Sequence, residues 1–374
     1  MKKINLALIG LGFGHKFAAI WAHHPNVEKL ILVESDQKRL EACLASHPGD
    51  NVVVYDSFEQ VLADPTIDAV HVCTGIPDHA KMSVAVLEAG KHCACAVPMG
   101  VTLEELRSVV EATRKSGKNY MMLETNLYGS SYCMAKKMLD EGEFGMVQYM
   151  RGVHYQPMEY WPGYWMGLPP MHYATHCIAP LRGIAGARIA KVRCHGAGVM
   201  EDRLTQQYGN PYPIEDALLE FANGMKAQVV RGLFGCSAMP TEGFNIYGSK
   251  KTLMNEYEGQ IIEKYYDESV YDFTSFKVTP IRWENHYESL PEEIWPYTLD
   301  PVERTENYKE RLKTGIIGEH LASHPHLVHE FVMSILEGRK AGVDEDLAAN
   351  ITAAGICAHL SAMQDGACVE IPEF

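Results

Sequence analysis

The chain has 374 residues, 47% hydrophobic and 22% charged, which predicts two domains with large cores and excludes a disordered or fibrous protein. Its 33 Lys plus Arg stand against 48 Asp plus Glu, a net charge of −15, which excludes a nucleic-acid or anionic-membrane surface because a polyanion would be repelled at long range. No apolar run reaches the roughly 18 residues that a membrane span needs.

The first twenty residues imitate a secretory signal. Gly10, Gly12 and Gly14, followed by His15 and Lys16, instead fit a buried strand entering a glycine turn, so a cytoplasmic location is expected. After the strand INLALI (4–9) comes helical spacing through Phe17, Ile20 and Trp21. A strand at 30–33 then ends at Glu34, and a helix carries Leu40, Cys43 and Leu44. The same alternation continues with strands predicted at 52–55, 69–73, 92–97 and 120–123, and helices through Phe58 and Val61, at about 78–89 and at about 102–116. Strands and helices alternating in short units predict a parallel sheet covered on both faces, a dinucleotide-binding Rossmann domain over 1–125. Beyond it, strands expected near 147–156, 189–199, 215–222, 226–234 and 243–248, with Asn223–Gly224 as a hairpin turn, predict a mostly antiparallel open sheet with a few helices over 126–374. Proline- and aromatic-rich stretches at 155–173 and 280–301 read as long functional loops, and a last helix is expected near 344–365. The ten cysteines, scattered from Cys43 to Cys368 without a C-x-x-C pair, are expected to be reduced thiols rather than disulfides or a zinc site.

A G-x-G turn between a strand and a helix brings main-chain N–H groups up to a pyrophosphate. Gly10 and Gly12 fit that pattern, with Phe13 and Gly14 completing the turn and His15 where a third glycine usually falls. Glu34 follows Gly12 by about 22 residues and closes the second strand, where a carboxylate bonds both ribose hydroxyls and repels a 2′-phosphate, so NAD is expected over NADP.

From Thr74 the sequence runs TGIPDHAKMSVAVLEAGKHCACAVPMGVTLEEL. With the upstream VYDSFEQVLADPTIDAVHV and the closing HPHLVHEFVMSILEGRKAGVDEDLAANITAAGICAHLSAM, it resembles the glucose-fructose oxidoreductase, inositol dehydrogenase and rhizopine-catabolism (Gfo/Idh/MocA) family over most of the chain. The resemblance implies NAD(P)-dependent sugar oxidation, a second domain whose open sheet carries the substrate face, and a homo-oligomer of dimer size or larger. It adds Thr74, Gly75, His79 and Pro98 to the cofactor side. Where the family has Glu-Lys-Pro this chain has Ala96, Val97 and Pro98. Valine neither hydrogen-bonds a substrate hydroxyl nor carries charge, so the substrate side is expected to be rebuilt; another lysine or arginine filling the vacated space, Lys264 being one to check, would instead restore the family mechanism.

The family's paired Asp and His, four residues apart at a helix start, fall on PPMHYATHCIAPL, where His172 replaces the acid and His176 keeps the histidine. Residues four apart on a helix share a face, so both are read as catalytic, His176 as the base and His172 as orienting either the substrate or the His176 ring. Alternatives remain open. The pair can be structural, or with His154, His320, His324 and His326 an H-x-x-x-H metal face, although no carboxylate-completed pattern appears and no metal is expected. His154, Tyr160, Trp161, Tyr164 and Trp165 supply rings and polar groups suited to a sugar or aglycone, and His320 and His324 are further substrate candidates. The leading expectation is an NAD-dependent enzyme oxidising a secondary hydroxyl of a sugar or glycoside, to a 3-keto sugar. Redox-neutral glycoside cleavage with held NAD, and a non-catalytic NAD-binding protein, are the alternatives.

Overall fold

The computed structural model describes residues 2–46, 51–236, 238, 240–256, 259–265, 275–315 and 317–374. The chain forms two compact units, one of residues 1–128, 285–352 and 374, the other of 129–284 and 353–373. This differs from the expected division into 1–125 and 126–374, because residues 285–352 return to the first unit.

In chain order the first unit begins with β1 (Ile4–Ile9), α1 (His15–His23), β2 (Val27–Val33), α2 (Gln37–Ser46), β3 (Val52–Val54) and α3 (Phe58–Ala63). It continues with β4 (Ala69–Val72), α4 (His79–Glu88), β5 (His92–Cys95), α5 (Leu103–Ser116) and β6 (Tyr120–Met122). The six strands make one parallel sheet in the order β3-β2-β1-β4-β5-β6. All four residues of β4 are buried, as strands covered on both faces require. The order reverses between β1 and β4, which opens a crevice at the carboxyl ends of these strands. Family-like motifs have local jobs here. The Lys91 ammonium donates to the Asp64 and Ile67 carbonyls, and Thr102 with Glu105 forms a capping box that starts α5.

The second unit holds α6 (Ser130–Asp140), β7 (Val147–Tyr155), α7 (Thr175–Ala185), β8 (Ile189–Ala197), α8 (Asp202–Tyr208), β9 (Ile214–Phe221) and β10 (Lys226–Gly232). β11 (Thr241–Gly248), β12 (Lys251–Asn255), β13 (Gln260–Tyr265) and β14 (Ser275–Pro280) follow. The chain then gives the first unit α9 (Tyr308–Leu312) and α10 (Ser323–Glu337), crosses back within α11 (Glu345–Ala362), and ends with β15 (Val369–Glu370). α10 returns to the first unit because its apolar face needs cover. Leu327, Val328, Phe331 and Val332 are buried, and Phe331 meets the ring of the buried Trp21 edge-on at 6.2 Å.

The nine strands of the second sheet run β14-β13-β12-β11-β7-β10-β9-β8-β15. Neighbours are antiparallel except β7 and β10, which pair in parallel with His154 opposite Arg231. β9 and β10 are joined through Asn223–Gly224, as predicted, with the Asn223 side chain accepting from the Met225 amide. α7 lies tightly on β7, since a side chain at Gly152 would overlap the Cys177 carbonyl. None of the ten cysteines is in a disulfide, and no helix among the described residues is long and apolar enough to cross a membrane.

Burial lowers seven histidines of the first unit, His24, His71, His79, His92, His324, His326 and His329, below the ordinary value. His24 and His71 are pushed down to about 3, and His92 and His326 to about 4, from the ordinary value of 6.5. In the unfolded chain these groups take up protons below about pH 6.5, whereas the folded state resists, so stability is lost as pH falls from there. Each contributes at most about 1.4 kcal/mol per pH unit within that window. Urea midpoints are therefore expected to drop steeply between pH 6.5 and 5. A flat profile there would contradict the buried neutral state.

Candidate active site

At the end of β1 the chain turns at Gly10, where φ is +87° and a Cβ would stand 2.5 Å from the Cys73 carbonyl oxygen, so only glycine fits. Gly12 differs. Its Cβ position is open, with Arg39 Nη1 the nearest atom at 3.6 Å. The amides of Gly12, Phe13 and Gly14 find no acceptor among the described residues, and α1 begins at once behind them. Three donors at a helix start form a seat for an anion. Glu34 stands at the end of β2, where its carboxylate accepts the Leu11 amide at 2.6 Å and the Asp36 amide at 2.9 Å. That pair of bonds holds the acid beside the glycine turn.

His79 is buried, with Nδ1 2.8 Å from the Pro98 carbonyl and Nε2 3.2 Å from that of Thr74. It ties the loop after β4, which holds Thr74 and Gly75, to the loop after β5, where Val97–Pro98 is a cis peptide. Both ring nitrogens face main-chain carbonyls, and the neutral ring, with one N–H, donates to one of them at a time. Burial lowers its pKa despite these bonds. His320 and His324 also belong to the first unit. Their rings lie 5.0 Å apart, and each meets the Phe13 ring edge-on at 5.8 Å. His320, Leu321 and Ala322 all take left-handed φ values of 48°, 53° and 63°, a strained run for side-chain-bearing residues. Glu319 anchors its start by a 2.7 Å ion pair with Lys16.

The second unit gathers a different group. The His154 and His176 rings lie 5.5 Å apart, with Glu242 of β11 between their nitrogens, 3.7 Å from His154 Nε2 and 4.0 Å from His176 Nδ1. The Tyr173 hydroxyl is 3.5 Å from His176 Nε2. Gly152 makes this gathering possible by letting α7, which carries His176, approach the strand that carries His154.

His172 does not join His176. Residues Pro170–Tyr173 form a separate 3-10 turn and α7 starts only at Thr175, so spacing by four on one helix does not apply. His172 instead meets the His359 ring edge-on at 5.2 Å, and burial with the nearby His359 pushes it down to about 3. His359 Nδ1 lies 2.6 Å from the fully buried carboxylate of Glu215.

In the aromatic loop, Trp165 is buried and packs edge-on against Tyr173 at 4.6 Å, with Trp161 and Tyr164 at 5.6 and 5.8 Å from Trp165. Tyr160 points to solvent. The Trp165 indole N–H and the Thr175 hydroxyl are buried with no partner among the described residues. No three His, Cys, Asp or Glu side chains among the described residues are arranged to hold a metal ion. The Lys264 side chain lies outside the described residues. Sequence reasoning missed Tyr173, Glu242 and Arg231, which come from separate elements and share no local spacing; the neighbours of His176 in PPMHYATH were the only signal, and it pointed to Tyr173 alone.

Two family profiles match the chain, one described as "Oxidoreductase family, NAD-binding Rossmann fold" over residues 4–124 and one as "GFO/IDH/MocA C-terminal domain" over 132–254. Among curated proteins, the chain is 30% identical over 201 residues to glycosyl hydrolase family 109 protein 1 of Bacteroides thetaiotaomicron, covering 48% of this chain and 42% of the relative. A glycosyl hydrolase family 109 protein of Porphyromonas gingivalis is 30% identical over 134 residues, 33% of this chain and 29% of that protein. The chain thus spans less than half the length of these relatives. Among solved structures, levoglucosan dehydrogenase in complex with NADH and levoglucosan has a TM-score of 0.73 at 20% identity, over 100% of both chains. Myo-inositol 2-dehydrogenase from Lactobacillus plantarum has a TM-score of 0.71 at 18% identity, over 99% of this chain and 100% of that one; at such identities the likeness is one of fold. The two profiles lie on the parallel-sheet unit with its glycine turn and on the sheet that gathers His154 and His176, and the chain belongs to the GFO/IDH/MocA family of oxidoreductases, with an NAD-binding Rossmann domain.

Proposed function

We propose that this protein oxidises a secondary hydroxyl of a sugar or glycoside, at C3, to the ketone. The observation that carries this reading is His176 set between the Tyr173 hydroxyl at Nε2 and the Glu242 carboxylate at Nδ1, the arrangement of a base with an orienting acid. The free amides of Gly12, Phe13 and Gly14 suit the pyrophosphate of NAD, and Glu34 suits its adenosine ribose. Bound NAD supplies the hydride acceptor. His176 takes the hydroxyl proton at Nε2, directly or through the Tyr173 hydroxyl, and Glu242 stabilises the imidazolium that results. Trp161, Tyr164 and Trp165 offer faces for sugar C–H groups, while the unpartnered Trp165 N–H and Thr175 hydroxyl suit sugar oxygens. His172, packed on His359, acts by shaping the 170–173 turn.

A second reading is redox-neutral glycoside cleavage, favoured by the likeness to proteins named glycosyl hydrolases. A C3 ketone acidifies the C2–H bond, which permits elimination at C1 before the ketone is reduced again. Incubation with NAD and a panel of glycosides, following reduced-nicotinamide absorbance and product masses together, separates the two. Accumulating reduced cofactor with a product two mass units lighter supports oxidation, aglycone release without it supports cleavage, and an inert panel counts against both.

His176→Ala is expected to lower turnover by a factor of about 10² to 10⁴ while NAD affinity, read by fluorescence titration, stays near wild type. Near wild-type turnover in this variant would place the base elsewhere. Glu34 is expected to give NAD tighter binding than NADP, and Glu34→Ala to narrow that gap by about tenfold or more through loss of the ribose bonds. Equal titration of both cofactors by the wild type would remove Glu34 from the ribose site.

A further inference from the structure

Arg231 lies on β10, directly across from His154 on β7, and is 0% exposed. Its Nε donates to the Tyr173 carbonyl at 2.8 Å, Nη1 to the carbonyls of His154 at 2.9 Å and Gly232 at 2.7 Å, and Nη2 to the Gln156 side-chain oxygen at 3.2 Å. Every acceptor is neutral, and no carboxylate among the described residues lies within ion-pair distance. The guanidinium carbon sits 5.5 Å from the Tyr173 ring centre. The charged and titratable groups facing it are Tyr173 on the 170–173 turn, Cys177 on α7 and Glu242 on β11. His154 touches it through its carbonyl, and His176 stands one hydrogen-bond distance beyond Tyr173. Burial lowers this arginine to about 10, so it stays charged at neutral pH.

A neutral amide could satisfy some of these carbonyls, whereas a buried cation with no anion in contact is costly to keep. Its charge therefore calls for a reason beyond support. Arg231 is a fully buried cation beside the His154, Tyr173, His176 and Glu242 group. We propose that Arg231 is a positioning residue supplying the fixed positive charge of the substrate site, holding Tyr173 and His154 by their carbonyls and favouring negative charge on the substrate oxygen as its proton leaves. The inference rests on the proposed oxidation: the substrate O–H bond breaks with its proton going to His176, the C–H pair leaves as hydride for NAD, and a C=O bond forms. A nearby cation also opposes protonation of the base, so the acid limb of activity should lie lower with the charge than without it.

The test uses the NAD-loaded full chain and the glycoside turned over fastest in the panel. Arg231→Gln should move the acid limb of the kcat/KM profile up by about one pH unit and cut kcat more than it raises KM. Arg231→Lys, which keeps the charge and loses the planar fork, should leave the limb in place while slowing turnover about tenfold or more. Histidine-labelled NMR titration of the NAD complex reads the same shift without turnover, so an inert panel defeats the functional reading while Arg231 is still judged. A folded Arg231→Gln with unmoved acid limb and histidine titrations, a displaced limb in Arg231→Lys, or loss of near-ultraviolet circular dichroism in both variants would mark the residue as structural and overturn the proposal.

Discussion

A guanidinium buried among carbonyls has to be met by oxygen dipoles on every side, since desolvation of a charge is among the largest costs a fold can carry. Around Arg231 those dipoles come from the end of β7, from β10 itself and from the turn before α7. Satisfying one side chain thus fixes three pieces of backbone at once. The single parallel pairing in an otherwise antiparallel sheet, β7 with β10, brings two of them side by side. The bare Gly152 lets α7 settle against the same strand. His154, Tyr173 and His176 then converge with little freedom left, and Glu242 closes the group from β11.

The parallel-sheet unit was largely legible because its signals are local. An apolar run such as INLALI, a glycine turn and an acid about 22 residues on sit within a short span of chain, and each is dictated by backbone geometry there. The helix start carrying His176 was expected from the family motif, and α7 begins one residue before it. His172 was placed beside it by helical spacing, and the spacing failed because two prolines, Pro169 and Pro170, open a separate 3-10 turn that ends before the helix begins. Arg231 and Glu242 reach His154 through sheet pairing between distant strands, and Tyr173 joins them through the Arg231 bond to its carbonyl, which no window of sequence displays. β12 to β15 were missed because they are short and mix lysine, threonine and glutamate into their apolar positions.

Two kinds of order serve the two halves of the chemistry. Around the glycine turn the main chain itself presents donors, while elsewhere in the first unit the Lys91 ammonium bridges two carbonyls. In the second unit the side chains of His154, Tyr173, His176 and Glu242 meet, and the main chain holds them in place. The left-handed run at 320–322 belongs to the first kind: strained residues pinned by Glu319 at one end and by the buried Ser323 and His324 at the other, with Phe13 packed on its rings.

The return of residues 285–352 to the unit begun by residues 1–128 also governs how the chain is born. On a ribosome the six-stranded sheet emerges early, yet Trp21 has no Phe331 to meet until about 200 further residues have been made. At roughly 5–20 residues per second that is a wait on the order of 10–40 s with an uncovered apolar helix face. The second unit is equally unfinished until residues 353–373 arrive. Each unit waits on a segment made far later, so a chain cut short before residue 285 would hold two partial cores rather than one finished domain.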